Sequence, residues 1–167
     1  AELTASEARL RTIVDHAPEA IVVFDGDTGK FLSSNVHAQE LYGHGAEELT
    51  RLGPADVSPE FQPDGRRSAN AAQAWINQAI AGKTPVFEWL HQHRSGRMVP
   101  TEVRLVRLPA AGKNLLRASI IDNTEHKRVE AALRRRSEQV QKHRDVLLKL
   151  ARSDKSDFDR ALRSITA

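Results

Sequence analysis

Apolar and polar residues alternate with a period of two through much of residues 86–122. The stretch breaks into runs at 86–93, 98–108 and 114–122, separated by Arg94-Ser95-Gly96-Arg97 and Pro109-Ala110-Ala111-Gly112-Lys113. Phe87, Trp89 and His91 share one parity, and so do Val99, Thr101, Val103 and Leu105. That period belongs to strands with one buried face, and Ser-Gly and Ala-Gly between such runs are hairpin signals. The pattern therefore predicts three consecutive antiparallel strands whose apolar face must be covered. Upstream, residues 6–15 read as a helix with Leu10, Ile13 and Val14 on one side, capped by Thr4 or Ser6 and stopped by Pro18. Residues 20–24 and 30–34 flank a dense turn signal and predict a hairpin. Short helices follow at 36–42 and 46–52, ended by Gly43, Gly45 and Gly53-Pro54. Residues 57–65 hold too much proline for regular structure. Ser68 is placed as the cap of a helix over 69–81, with Ala72, Trp75, Ile76, Ala79 and Ile80 on one stripe. Strands that are not interleaved one-for-one with helices indicate an α+β domain, a five-stranded antiparallel sheet with covering helices.

The pattern changes after Glu125, where Gly and Pro disappear. Val129, Leu133, Arg136, Val140, His143, Leu147 and Leu150 fall at alternating steps of four and three, a heptad seam for a parallel two-stranded coiled coil. Arg136 and His143 are polar at core positions; they weaken such a seam and help fix its register. A single amphipathic helix folded back on the domain stays open as the simpler reading. Ser153-Asp154-Lys155-Ser156 is expected to interrupt the helix, and Phe158, Leu162 and Ile165 mark a second one. The organisation expected is an N-terminal amphipathic helix at 1–15, a domain at 16–125, a coiled-coil helix at 126–152, and the start of a further module at 153–167.

Composition narrows the chemistry. The chain has 167 residues, 40% hydrophobic and 28% charged, ordinary for a soluble protein. No run approaches the ~20 apolar residues of a membrane span. No secretory signal is visible, and with Ala at position 1 the sequence reads as part of a longer, cytoplasmic chain. Zero cysteines exclude disulfides, thiolate metal sites and cysteine nucleophiles. The net charge of +3 is concentrated over Lys127, Arg128, Arg134, Arg135, Arg136, Lys142, Arg144, Lys149 and Arg152. A solvated helix face accounts for that run; a basic nucleic-acid-binding regulator is the competing reading, but no base-reading motif accompanies the charge, so no nucleic-acid partner is expected. Asp25 and Asp27 lie in a turn, Ser58 has no neighbouring base, and His143-Arg144-Asp145 sits within heptads. No catalytic residues and no metal ligands are assigned, and this chain is expected not to be an enzyme itself.

Several stretches together resemble a PAS (sensory box) domain followed by a signalling helix. They are residues 13–21, Ser34-Asn35, Leu41-Tyr42-Gly43, residues 56–65, Phe87-Glu88-Trp89 through Ser95-Gly96, and Ile120-Ile121-Asp122-Asn123-Thr124-Glu125-His126-Lys127, which is similar to the family's Asp-x-Thr exit signature. The resemblance covers roughly residues 6–125. Leu150-Ala151-Arg152-Ser153 with Phe158 and 161–165 is similar, over a short span, to the start of a GAF domain or another output module.

The resemblance implies a PAS fold that senses a small molecule, light, oxygen or redox state in a pocket between sheet and helices. It implies membership of a bacterial signal-transduction protein of the histidine-kinase (two-component) or cyclic-dinucleotide type. In that frame the pocket candidates are Asn35, Tyr42, Trp75, Trp89, His91 and Leu105. Asp122 and Thr124 are expected to tie the last strand to the helix by accepting free N–H groups there. The absent cysteine removes the thiol-dependent photosensors, and the helix over 69–81 lacks the histidine a haem would use. That leaves a non-covalent flavin, or no cofactor at all. The partners expected are a second copy joined through the coiled coil, an output domain beyond the sequence, and a small-molecule ligand. A ligand-free dimerisation and relay module is the alternative.

Overall fold

The computed structural model describes residues 2–165. Helix α1 spans Glu2–Asp15, followed by strands β1 (Ala20–Asp25) and β2 (Phe31–Ser34). Three helices come next: α2 (Val36–Tyr42), α3 (Ala46–Leu49) and α4 (Ser68–Ile80). Strands β3 (Val86–Gln92), β4 (Met98–Arg107) and β5 (Leu115–Asp122) lead into the long helix α5 (Thr124–Ile165). The chain divides into a compact unit, residues 1–124, and a second unit, residues 125–167.

All five strands pair antiparallel, in the order β2-β1-β5-β4-β3. The three alternating runs form one meander, as their pattern predicts. The first hairpin joins it through β1, which pairs with β5 from Ala20 opposite Ile120 to Asp25 opposite Leu115. One face of the sheet is apolar. Val22, Phe24, Val99, Val103, Leu105, Leu116, Ala118 and Ile120 are all buried there. Ala71, Ile76 and Ala79 of α4 and Ala38, Leu41 and Tyr42 of α2 complete the same core. At about 25 cal/mol per Å2 of apolar surface removed from water, this covered face is the main stabilising term.

The edge strand β3 is not left open. The irregular segment after α3 runs alongside it, where Val57 O accepts from Gln92 N at 2.9 Å. The amide of Gln62 then acts as a short surrogate strand: Oε1 accepts from Leu90 N at 2.9 Å and Nε2 donates to Leu90 O at 3.1 Å. Unpaired edge groups invite pairing with other chains, and this segment occupies those of Leu90 and the N–H of Gln92.

Several boundaries differ from the sequence reading; α3, for one, ends at Leu49 and not at residue 52. Helix α1 already begins at Glu2, so Thr4 lies inside it. Helix α4 begins at Ser68 itself, with Arg67 at the N-cap position. The Ser68 hydroxyl donates to Pro59 O and accepts from Gln62 Nε2, so it is committed to the neighbouring segment and does not cap. Helix α5 shows no break at residues 153–156. Ser, Asp and Lys each cost well under 1 kcal/mol in an exposed helix, and neither Pro nor Gly is present to stop propagation. The side chains of Leu10, Leu162 and Ile165, assigned to apolar faces from the sequence, lie outside the described residues, as do Thr166 and Ala167.

The Gln62 contacts generate a test. Gln62→Ala leaves the Leu90 amide and carbonyl without their protein partners and is expected to lower stability by about 1–3 kcal/mol. Urea unfolding followed by circular dichroism reads the change, and increased aggregation at the exposed edge should accompany it.

Candidate functional site

Tyr42, Trp75, Trp89, His91 and Leu105 come together around one cavity of about 40 Å3 between the sheet and α4. Strand parity turns Phe87, Trp89 and His91 of β3 inward. Helix α2 ends at Tyr42 because Gly43 takes a left-handed conformation, φ 74°, and donates to Gln39 O. A Cβ at that glycine would also meet the His93 ring, so the close approach of α2 to the β3–β4 turn requires glycine there. Arg94 N donating to Tyr42 O at 2.8 Å ties the same two elements.

Aromatic rings build most of the wall. Trp75 stacks on Phe87 with centroids 4.4 Å apart and 5° between planes, and Phe87 meets Trp89 edge-on at 5.8 Å. Phe31 stacks on Tyr42, and Tyr42 tilts against His91 at 5.2 Å. Polar atoms in this wall are partnered. Trp89 Nε1 donates to Ser58 Oγ at 2.9 Å, and that hydroxyl donates to Pro54 O.

His91 has a definable tautomer. Thr101 Oγ1 donates its single proton to Trp89 O at 3.0 Å. The contact from His91 Nδ1 to the same oxygen, 2.9 Å, therefore has the ring nitrogen as donor. Nε2 is left as an acceptor, and the Tyr42 hydroxyl faces it at 3.4 Å, a long contact. Burial pushes the His91 pKa down to about 3, so the ring is neutral at physiological pH. Burial likewise raises the Tyr42 phenol above its ordinary value.

Asn35, expected in the pocket, lies elsewhere. It is the N-cap of α2, its Oδ1 accepting from Ala38 N at 3.0 Å and from Ile21 N at 2.9 Å. Its Nδ2 donates to Val14 O at 3.0 Å and Glu19 O at 2.9 Å. The side chain thus joins α1, β1 and α2. An Asn at a strand end fits a ligand contact and a cap equally well in sequence; only the positions of its four partners decide.

At the end of β5, the Asp122 carboxylate accepts from Thr124 N at 2.8 Å and starts α5. The Thr124 hydroxyl, expected to share this role, is buried without a hydrogen-bond partner among the described residues. Asn123 N donates to Pro100 O at 2.9 Å, and Pro100 has no N–H to return, so the ladder ends there. Thr101, the partner of His91, lies opposite Asp122 in the β4–β5 register.

Along α5 the seam residues Val129, Leu133, Val140, Leu147 and Leu150 are 50–66% exposed. Arg136 and His143 are exposed as well, the His143 ring touching Gln139 O one turn back. Arg134 pairs with Glu138 at 3.2 Å and Arg128 with Glu125 at 3.9 Å, so part of the basic run is matched along its own helix.

The cavity tests the cofactor expectation. Pockets enclosing drug-sized ligands measure roughly 300–1,000 Å3. A flavin ring system does not fit about 40 Å3 with the side chains as they stand. No cluster of metal-ligating side chains occurs among the described residues. No described helix is long and apolar enough to cross a membrane. Sequence reasoning missed Thr101, Ser58, Gln62 and Pro100. Of these, Thr101 was within reach, because hairpin register places it opposite Trp89 on the inward face.

The sequence model of the PAS fold family matches residues 14–128, and the chain belongs to that family. No curated protein matches the chain. Among solved structures, it is similar to the PAS domain of an HTR-like protein from Haloarcula marismortui. Identity is 22%, TM-score 0.60, and the match covers 72% of this chain and 94% of that one. It is similar also to a domain of a sensory box sensor histidine kinase/response regulator from Geobacter sulfurreducens, with 20% identity, TM-score 0.59, and 72% and 96% coverage. An RNA-binding light-oxygen-voltage receptor aligns with TM-score 0.65 at 15% identity, over 84% of this chain and 39% of that one.

Two outcomes follow from this geometry. Asn35→Ala removes a helix cap and leaves buried backbone groups unpaired; a loss of about 2–4 kcal/mol is expected in urea unfolding. His91, depressed to about 3 in the folded chain and ordinary at 6.5 when unfolded, makes the unfolded state the better proton acceptor between those values. Stability should therefore fall as pH drops below 6.5, by about 2 kcal/mol at pH 5 from this group. His91→Phe should remove that part of the slope. The depressed carboxylates of Glu48 and Asp64 act in the same direction, so the comparison with the variant is what isolates His91.

Proposed function

We propose that the chain is the sensory and relay segment of a signal-transduction protein of the histidine-kinase or cyclic-dinucleotide type. A small molecule or redox cue shifts the packing around Trp89, His91 and Leu105. The shift passes through Asp122 and Thr124 into α5, which pairs in parallel with α5 of a second copy. Rotation or register of the two helices is the message to an output module joined to them. The chain itself performs no catalysis on this reading.

The observation that carries the proposal is the exposed heptad row on a 42-residue helix that starts directly after β5. Leu133, Val140, Leu147 and Leu150 recur at heptad spacing along one face, and each would gain roughly 1.5–3 kcal/mol on full burial against a partner helix. Arg136 and His143 interrupt the row, which keeps the pair weak enough for a few kcal/mol to bias it. The sensory part is supported by the family and by the likeness in fold to the sensory box domain from Geobacter sulfurreducens.

A second reading, a relay without any ligand, is favoured by the small cavity. Native mass and an absorbance spectrum of the purified protein separate the two, since a bound cue adds mass or colour.

The dimer is tested by light scattering. A dimer is expected for the chain, and Leu133→Asp with Leu147→Asp should raise its dissociation constant by roughly a hundredfold or more while leaving near-ultraviolet circular dichroism intact. A chain that stays monomeric at high concentration would remove the proposed carrier.

A further inference from the structure

A second recess, of about 230 Å3, opens beside the end of β5. Apart from Ile120 it shares no lining residue with the cavity under α4. Ala20, Leu41 and Ile120 are buried and give it an apolar floor. His37 and Glu40 of α2, Arg97 of the β3–β4 turn and Asp122 make the rest of its wall polar. Two of these groups answer one another, with His37 Nδ1 3.7 Å from Glu40 Oε2. The other two do not. Among the described residues the Arg97 side chain has no hydrogen bond and no ion pair, although two carboxylates line the same recess. Asp122 gives Oδ1 to the N–H of Thr124 at 2.8 Å, and its second oxygen takes no donor. An arginine keeps its charge throughout the range in which proteins fold, and its planar fork matches a carboxylate. An unused donor fork and an unused carboxylate oxygen therefore share one space above an apolar floor.

We propose that this recess binds a small zwitterion, an α-amino acid with an aliphatic side chain. Its carboxylate meets Arg97, its ammonium meets Asp122 with Glu40 beside it, and its side chain lies against Ala20, Leu41 and Ile120. A simple anion would face Asp122 and Glu40, and a simple cation would face Arg97; both suffer like-charge repulsion that a zwitterion avoids. The volume falls below the roughly 300–1,000 Å3 of sites for drug-sized ligands, which suits a molecule of this size. The ammonium engages the same carboxylate that holds the N–H of Thr124, so an occupied recess acts on the first residue of α5. Its use as an input rests on the sensory reading above, whereas the site rests on Arg97 and Asp122 alone.

The test uses the full chain, labelled with 15N, with the Thr124 amide as reporter. Three probes are titrated at pH 7: L-leucine, 4-methylpentanoate, which lacks the ammonium, and 3-methylbutylamine, which lacks the carboxylate. Leucine should bind with saturation, and each analogue roughly tenfold more weakly or worse. In Arg97→Gln, leucine should fall to the affinity of 3-methylbutylamine, while that amine binds at least as well as before, which also shows that the variant recess is intact. No saturable response to leucine overturns the proposal. So does an analogue that binds as tightly as leucine, or an Arg97→Gln variant that binds leucine unchanged. Leucine should bind equally well when Leu133→Asp and Leu147→Asp are both present, so a failure of α5 pairing leaves the recess standing, and an empty recess leaves the pairing to its own test by light scattering.

Discussion

The pairing of β1 with β5 makes one domain out of two hairpins. Six residue pairs join strands almost a hundred positions apart, from Ala20 and Ile120 to Asp25 and Leu115. The pairing sets Ala20, Val22 and Phe24 beside Leu116, Ala118 and Ile120 on the buried face. Everything between becomes a closed loop, and loop-closure entropy grows only slowly with length, so a long excursion of helices is thermodynamically tolerable. Both ends of the pairing are braced. Gly26 N donates to Asn114 O at 2.7 Å and Asn114 Nδ2 to Asp27 Oδ1 at 2.8 Å at one end. The four hydrogen bonds of Asn35 hold the other, where α1, β1 and α2 converge.

Once the sheet is closed, the covering segments must satisfy polar groups as well as bury carbon. The proline-rich segment after α3 does both. It seals the β3 edge through Val57 and Gln62, and it supplies Ser58 to the indole of Trp89. Its irregular backbone lets it present a hydroxyl, an amide and a carbonyl to Trp89, Leu90 and Gln92 of β3. The interior polar chain from Trp89 O through Thr101 to His91 is similarly committed. Only its last member, Nε2, is weakly engaged. Fully satisfied networks rigidify a core, and Nε2 is where this one is least satisfied.

The strands of the meander were legible because alternation reports a half-buried sheet whatever else surrounds it. The central place of β1 was not, because a period of two says which residues face inward and nothing about which strand lies alongside. Parity put Trp89, His91 and Leu105 on inward faces and the helical stripe did the same for Trp75, whereas Tyr42 entered only through the family resemblance. The role of Asn35 was not legible, because it is set by the carbonyls of Val14 and Glu19, which only the folded path brings near. Ser68 misled for a related reason: a hydroxyl beside a helix start reads as a cap until a competing acceptor, here Pro59 O, is in place. Residues 153–156 misled by polarity, which marks loops in compact domains but is neutral on an exposed helix without Gly or Pro.

The junction between sheet and helix is the remaining constraint. A strand could fray into a helix over several residues, and a frayed junction transmits little. Here Pro100 takes one hydrogen bond from Asn123 and offers none, so strand pairing stops at a defined residue. Asp122 then supplies the acceptor that the next N–H, that of Thr124, needs. Opposite Asp122 sits Thr101, whose hydroxyl oxygen accepts the hydrogen bond from His91 Nδ1. Cavity and junction therefore share a residue pair of the β4–β5 ladder. On the proposed relay, a cue that moves the His91 ring would also move Thr101 and, through the pair Thr101–Asp122, the end of β5.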